Sequence, residues 1–468
     1  MRKGLIISAI LSSILFAGTT TVPSKGSDLK ITIYNGNLAF INDKRETNIE
    51  KGHQKLVYEG VPSNVISESV IPTFTGVSTN LYSQNYMYDL ISLNSMLKNS
   101  IDKEVQYYRN NYLHKEIQDL YLGTLLSMHP VMIKDNDTNK IITLTNPNQV
   151  IFNSVPSSMI TKPSLVWNID TAEKGKLDVD LKYLTTGISW KSDYVLNLNK
   201  DSLDLNGWIT IKNNSGVSYD NAQITCLAGK VNRAPRIQRE AIMSKSIKMK
   251  SFAASDMRVK EESFSGYHIY KIPFKEDIAN KQNKQITFIE NKGVKYTQYG
   301  KNINNYFDNY GKQKLVFNNI VEFKNNKENN MGIPLPAGTI RMYKKDSKGE
   351  THFIGEDRIG NIPKKETIKL KVGTMFDVVG EKRITKFKAD RYLRDVETTY
   401  EIRNRGVDPV TVKIEERIPT YGRQITTETS CKGQCSFVKE SAFYRTFTIK
   451  LDAGELYDFT SSFEVLFH

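Results

Sequence analysis

At 468 residues the chain is longer than a single hydrophobic core usually serves, so two to four domains are expected. An aromatic content of 10% with an ordinary 25% of charged residues is that of a folded protein, so disorder is not the default expectation. The formal charge of +14 comes from lysines and arginines dispersed along the chain, with no dense basic block and no nucleic-acid-binding module. Nucleic acid is therefore excluded as a partner, and the charge is read as solvated surface.

In chain order, Arg2 and Lys3 precede an apolar run, residues 5–17, and small or hydroxyl residues follow up to Pro23. That pattern describes a secretory signal peptide, taken as residues 1–19, whose apolar stretch is too short to span a bilayer. No later stretch approaches the ~20 apolar residues of a spanning helix. The expected location is periplasmic, outer-membrane-associated or secreted.

An N-terminal β region with one short helix is expected over residues 28–165. Its first hairpin is LKITIY, the turn Asn35-Gly36-Asn37 and LAFI, because Asn and Gly tolerate the positive φ such turns need. Residues 87–97 change to helical spacing through Leu90, Leu93 and Met96 or Leu97, and predict about three turns of amphipathic helix. The central β domain spans 166–232 and 263–383. Within it Ala222, Ile224, Cys226 and Ala228 alternate onto one face, as in a half-buried antiparallel sheet. Residues 233–262, rich in Lys, Met and Ser without a clean apolar face, read as a flexible insertion. Strand density over 384–468 suits an immunoglobulin-like β-sandwich. The fold class expected is mainly β.

Three segments echo one another: WITIKNN (208–214), VEFKNN (321–326) and YEIRNR (400–405) each run an alternating strand into an asparagine-bearing turn. The echo fits sandwich domains in which one edge hairpin recurs.

Export makes a small disulfide between Cys431 and Cys435, which bracket Lys-Gly-Gln, the expected state. A structural metal there would need two more ligands, and none lies nearby in sequence. Cys226 is expected as a buried thiol.

The segments YLTTGISWKSDYVLNL, DLNGWITIKNNSGVSYDNAQI, LAGKVNR, YHIYKIP, NKQITFIE, IPLPAGTIRMYKKDSKGETHFIGEDRI and VGTMFDVVGEKR resemble the bacterial domain-of-unknown-function-4139 family. ITIYNGNLAFINDKR, YEGVPSNVISESV and NYMYDL look like that family's leader region, so the resemblance covers nearly the whole mature chain. It implies an exported, β-rich protein and carries over no activity or catalytic residue. The CKGQC pair and the Lys-rich insertion depart from it.

Standard catalytic and phosphate-binding motifs are missing, so no catalytic residue, metal or cofactor is assigned. His352 and Glu356 would share a strand face, with Asp357 adjacent, were it not for a turn expected at Gly355. His268 reads as a satisfied sheet histidine. Asp193, Asp220, Glu356 and Asp377 are the acids that a glycoside-hydrolase carboxylate pair would draw on. Trp190, Tyr194, Trp208 and Tyr219 are the candidate ligand-binding residues, as an aromatic platform for sugar rings, against the alternative that they are sandwich core. The preferred function is a non-enzymatic envelope scaffold or binding protein with a glycan or protein partner. The alternative is a hydrolase acting on envelope polysaccharide or peptide.

Overall fold

A computed structural model of the chain describes residues 18–24, 26, 28–110, 118–156, 159–229, 231–232, 260–264, 266–305, 311–418, 423–441 and 443–466. The expected signal segment up to Ala17 and nearly all of the 233–262 insertion lie outside the described residues. The architecture is mainly β, with one α-helix, Leu93–Asn99, among the described residues. No described helix is long and apolar enough to cross a membrane. The chain divides into two compact units, residues 1–190, 211–257 and 271–284 in the first and 191–210, 258–270 and 285–468 in the second.

In the first unit, one sheet orders Gly18–Val22, Gly52–Glu59, Ser164–Thr171 and Thr79–Met87. A second orders Tyr219–Ala228, Asp28–Tyr34, Leu38–Ile49, Gly175–Thr185 and Ile71–Thr75. The expected hairpin is present, with Tyr34 opposite Leu38 and Asn37 taking the positive φ of 53°. Tyr219–Ala228 alternates as its sequence requires, yet it pairs in parallel with Asp28–Tyr34, Gln223 opposite Lys30. A parallel partner nearly 200 positions away leaves no local turn signature, and the sheet is accordingly mixed. The two layers meet around Trp167, which is fully buried. Its indole donates to Gln84 Oε1 at 2.8 Å, and Tyr58 and Phe74 stand edge-on to it, each 5.7 Å away. Each such edge-to-face pair adds about 0.5–1.5 kcal/mol beyond area burial.

A smaller five-stranded antiparallel sheet, strands Glu104–Asn110 to Val150–Ile151, is inserted between two paired strands of the first sheet. Its core gathers Leu97, Val105, Tyr107, Leu125 and Ile133. The helix is shorter and later than its periodicity predicted. Met87 is held in register opposite Ser164, and the start is fixed by Ser92, whose Oγ accepts from Ser95 N at 3.1 Å.

The second unit holds three apolar clusters among the described residues, the smallest around Val396, Ile418, Phe463 and Val465. One joins Tyr194, Leu196, Leu205, Ile340 and Met342 to Val321, Phe323, Ile368 and Leu370. Another lies between the sheet carrying Val410–Arg417 and Tyr444–Leu451 and the sheet carrying Leu393–Asn404 and Leu456–Leu466, a two-layer sandwich. Leu315, Phe317 and Val378 also belong to this sandwich core, so it draws on chain before residue 384.

The three echoed segments have one physical meaning. Asn213, Asn325 and Asn404 are each buried at a strand end and staple the turn beyond it. Asn213 Nδ2 donates to Val217 O (2.8 Å) and Ile278 O (3.2 Å), and its Oδ1 accepts from Ser215 N (3.0 Å). Asn325 donates to Ile333 O (2.7 Å) and Pro363 O (2.9 Å) and accepts from Gly332 N (3.0 Å). Asn404 donates to Asp408 O (2.8 Å) and Asp452 O (3.0 Å) and accepts from Gly406 N (3.0 Å). A side-chain amide offers both donors and an acceptor, which is what a buried turn with loose carbonyls and an orphan N–H requires.

Candidate functional site

In the first unit, strand Leu38–Ile49 carries Ala39 and Ile41 inward, and the same alternation carries Asp43 and Arg45 inward after them. Both charges are buried, at 5% and 6% exposure. Arg45 Nε and Nη2 donate to Asp43 Oδ2 at 2.9 and 2.7 Å. Its Nη1 donates to Glu59 O (2.7 Å) and Pro23 O (3.4 Å), and the guanidinium lies 3.9 Å over the Tyr58 ring. Tyr58 in turn donates to Asp43 O at 3.2 Å. Each charge is thus paired and hydrogen-bonded, the condition for keeping an ion pair out of water.

This pair borders a cavity of about 280 Å³. Asp43, Arg45, Tyr183 and Tyr219 form its buried part, and Ser24, Ser218, Asp220 and Asn221 are exposed around it. Burial raises the ionisation of Tyr183 and Tyr219 well above the ordinary phenol value, so both are neutral donors. The Tyr219 hydroxyl is buried and has no hydrogen-bond partner among the described residues. Ser215 lies near enough to oppose part of that rise, but no hydrogen bond of ordinary geometry joins the two hydroxyls.

Three of the four aromatic candidates are buried. Trp190 is 3% exposed and its indole donates to Leu227 O at 3.2 Å. Tyr194 is fully buried, packs on Phe288 and donates to Pro336 O at 2.7 Å. Trp208 is half-buried, and Tyr219 reaches the cavity from a buried position. Alternation on a strand puts a large ring in the core whenever its face is the inner one, which is why Trp190, Tyr194 and Tyr219 are buried. Trp190 and Tyr219 belong to the first unit, Tyr194 and Trp208 to the second.

Of the acids, Asp193 and Glu356 are brought to one cation, each 3.5 Å from Arg341. Asp193 also accepts from Lys191 (3.0 Å) and Thr210 (2.8 Å). Burial works to raise its carboxyl, but the hydrogen bonds from Thr210 and Lys191 and the charges of Lys191 and Arg341 outweigh it and hold the carboxyl below the ordinary value. Asp377 is exposed, and Asp220 lies at the cavity in the first unit.

His352 does not share its contacts with Glu356. Its Nε2 meets Asp346 Oδ2 at 2.9 Å, and Glu350 lies close enough for the three exposed groups to share a cation. Asp346 Oδ1 already accepts from Lys348 N and Glu350 N, both at 2.9 Å, so the cluster is a self-bonded turn. Gly355 is not a turn but an irregular position inside strand Thr351–Ile359, with φ 155°. A Cβ there would sit 2.1 Å from Val372 O, so only glycine fits. His268 Nδ1 lies 2.7 Å from Glu261. Cys431 and Cys435 are joined in a disulfide, and Cys226 is a buried free thiol whose ionisation burial opposes.

The Asp43–Arg45 pair was not singled out in the sequence. The signal was nonetheless there, since two charges continue the inward phase set by Ala39 and Ile41.

No family model matches the chain, and no curated protein does. The motif resemblance therefore stands on the quoted segments alone.

Proposed function

We propose that the protein is an exported, non-enzymatic binding or scaffold protein of the cell envelope, of the domain-of-unknown-function-4139 type. The observation that carries this reading is the cavity beside Asp43 and Arg45. Its two buried charges neutralise each other, and its other polar lining groups offer hydrogen bonds. A site built for proton transfer needs an acid or base whose proton affinity is tuned toward the working pH. Asp193 is shifted the other way, toward its ionised form. A glycosidase pair needs one carboxyl that keeps its proton.

The hydrolase remains the second reading because Asp193 and Glu356 do converge on Arg341. The test is retention of purified envelope glycans and of envelope-lysate components on the immobilised mature chain, with product analysis of the same samples. Saturable retention without cleavage is the expected result. New reducing ends or cleaved peptides, lost in Asp193→Asn, would replace the binding reading with the hydrolase.

A further inference from the structure

Resting on the binding reading, we infer that the first unit's cavity takes a neutral, hydroxyl-rich ligand of single-ring size, a sugar residue, with the Tyr219 hydroxyl as its buried anchor. Four features of the cavity lead there.

The first is the Tyr219 hydroxyl. It is buried, lines the cavity, and has no hydrogen-bond partner among the described residues. A buried hydroxyl left unsatisfied is costly, and native proteins rarely leave one so without a reason. A ligand oxygen entering the cavity would satisfy it.

The second is charge. A guanidinium has five N–H donors, and Arg45 directs its Nε and Nη2 to Asp43 and its Nη1 to Glu59 O and Pro23 O. Little of it remains to clamp a carboxylate or phosphate. With Asp43 and Arg45 cancelling, Asp220 leaves the charged lining one unit negative, which repels anions.

The third is the chemistry of the exposed lining. Ser24, Ser218 and Asn221 each both donate and accept, and the Asp220 carboxylate accepts through two oxygens. A ring hydroxyl donates and accepts as well, so it matches this set where a purely anionic or apolar ligand does not. The fourth is size. A cavity of about 280 Å³ lies just under the range of roughly 300–1,000 Å³ that holds drug-sized ligands. One ring fits, with any continuing polymer left outside.

The experiment is calorimetric titration of the full mature chain with four methyl glycosides: glucose and N-acetylglucosamine (neutral), glucuronic acid (anionic) and glucosamine (cationic). Tyr219→Phe and Asp220→Asn are titrated alongside. Tyr219→Phe removes an unpartnered hydroxyl and keeps the ring, so thermal stability without ligand is expected to hold or rise. Binding of a neutral glycoside is expected to weaken about five- to tenfold in Tyr219→Phe, the loss of one hydrogen bond to a buried hydroxyl. Glucuronide is expected to bind at least about tenfold more weakly than the neutral glycosides. Should Tyr219→Phe fail to fold, Asp220→Asn, at an exposed position, tests the cavity as the site, with weaker neutral-glycoside binding and a smaller penalty on glucuronide expected.

Preference for glucuronide or glucosaminide would overturn the neutral ligand class while leaving the binding reading intact. Neutral glycosides bound equally by the wild type and both variants would move the ligand off this cavity and also leave that reading intact. No binding of any glycoside up to about 10 mM, beyond the weak end of useful affinity, would overturn the inference outright. Retention of whole envelope polymer by the same preparation would then decide separately whether the binding reading falls with it.

Discussion

Asn325 and Asn326 are chemically identical neighbours to which the structure gives opposite roles, and that contrast can be measured. Asn325 is fully buried and makes three hydrogen bonds, to Ile333 O, to Pro363 O and from Gly332 N. Each is worth about 0.5–1.5 kcal/mol net, so Asn325→Ala should cost about 3 kcal/mol, with two carbonyls and one N–H left wanting. Asn326 Oδ1 has no partner among the described residues, so Asn326→Ala should cost under about 0.5 kcal/mol. Asn325→Asp is a sharper probe than alanine. It keeps the acceptor for Gly332 N but replaces the doubly donating Nδ2 with one oxygen that faces both carbonyl oxygens. Its carboxyl would be pushed above the ordinary value in the folded state, so the variant should be least destabilised at acid pH and lose stability as pH rises. The assay is hydrogen exchange with mass spectrometry on peptides covering Asn318–Lys324 and Thr367–Thr374, the paired strands beside the staple. A cost of about 3 kcal/mol lowers protection there about 100-fold. Equal loss of protection in Asn325→Ala and Asn326→Ala would refute the staple, and with it the meaning given to the echoed segments.

Other outcomes follow from the same geometry. Glu416 and Arg445 form a fully buried pair at 2.6 Å, with Tyr400 and Ser461 donating to Glu416, so Arg445→Met should cost about 3–5 kcal/mol in urea unfolding. The double variant Glu416→Leu/Arg445→Met should recover most of that loss, since no charge is stranded. Asp135 is held at about 2, below its ordinary 3.8, first by the Tyr107 hydroxyl (2.6 Å) and then by Thr138. Its folded value is the lower one, so its contribution is present above the ordinary carboxylate value and is lost as pH falls toward 2. A carboxylate NMR titration should show Asp135 moving up toward 3.8 in Tyr107→Phe. The Cys431–Cys435 disulfide closes a short loop, so Cys431→Ser/Cys435→Ser should lower stability by only about 2 kcal/mol. Native protein should show no thiol reactive to an aromatic disulfide reagent, and one, Cys226, after denaturation without reductant.

What the sequence disclosed follows the range of each physical signal. Strand alternation and Asn-Gly turns are local, and so the hairpin at Asn35–Asn37, the inner face through Ala222 and Cys226, and the cysteine pair could all be read directly. The helix was misplaced because the pairing of Met87 with Ser164 and the cap at Ser92 override a weak apolar period. The parallel pairing of Tyr219–Ala228 joins strands far apart in the chain, and no turn announces it. Trp190 and Tyr194 could be read as platform or as core, because a strand's alternation does not say which of its two faces is inward. Asp43 and Arg45 carried the opposite lesson, since charges in phase with Ile41 are buried only as a pair, and a pair at that spacing was visible.

The most direct test of recognition without turnover is a crystal structure of the protein grown with an envelope glycan fragment. Density for an intact sugar ring is expected among Asp43, Arg45, Asp220 and Tyr219, with the Tyr219 hydroxyl in hydrogen-bond contact. Density for a cleaved product beside Asp193, Glu356 and Arg341, with the first unit's cavity empty, would contradict it.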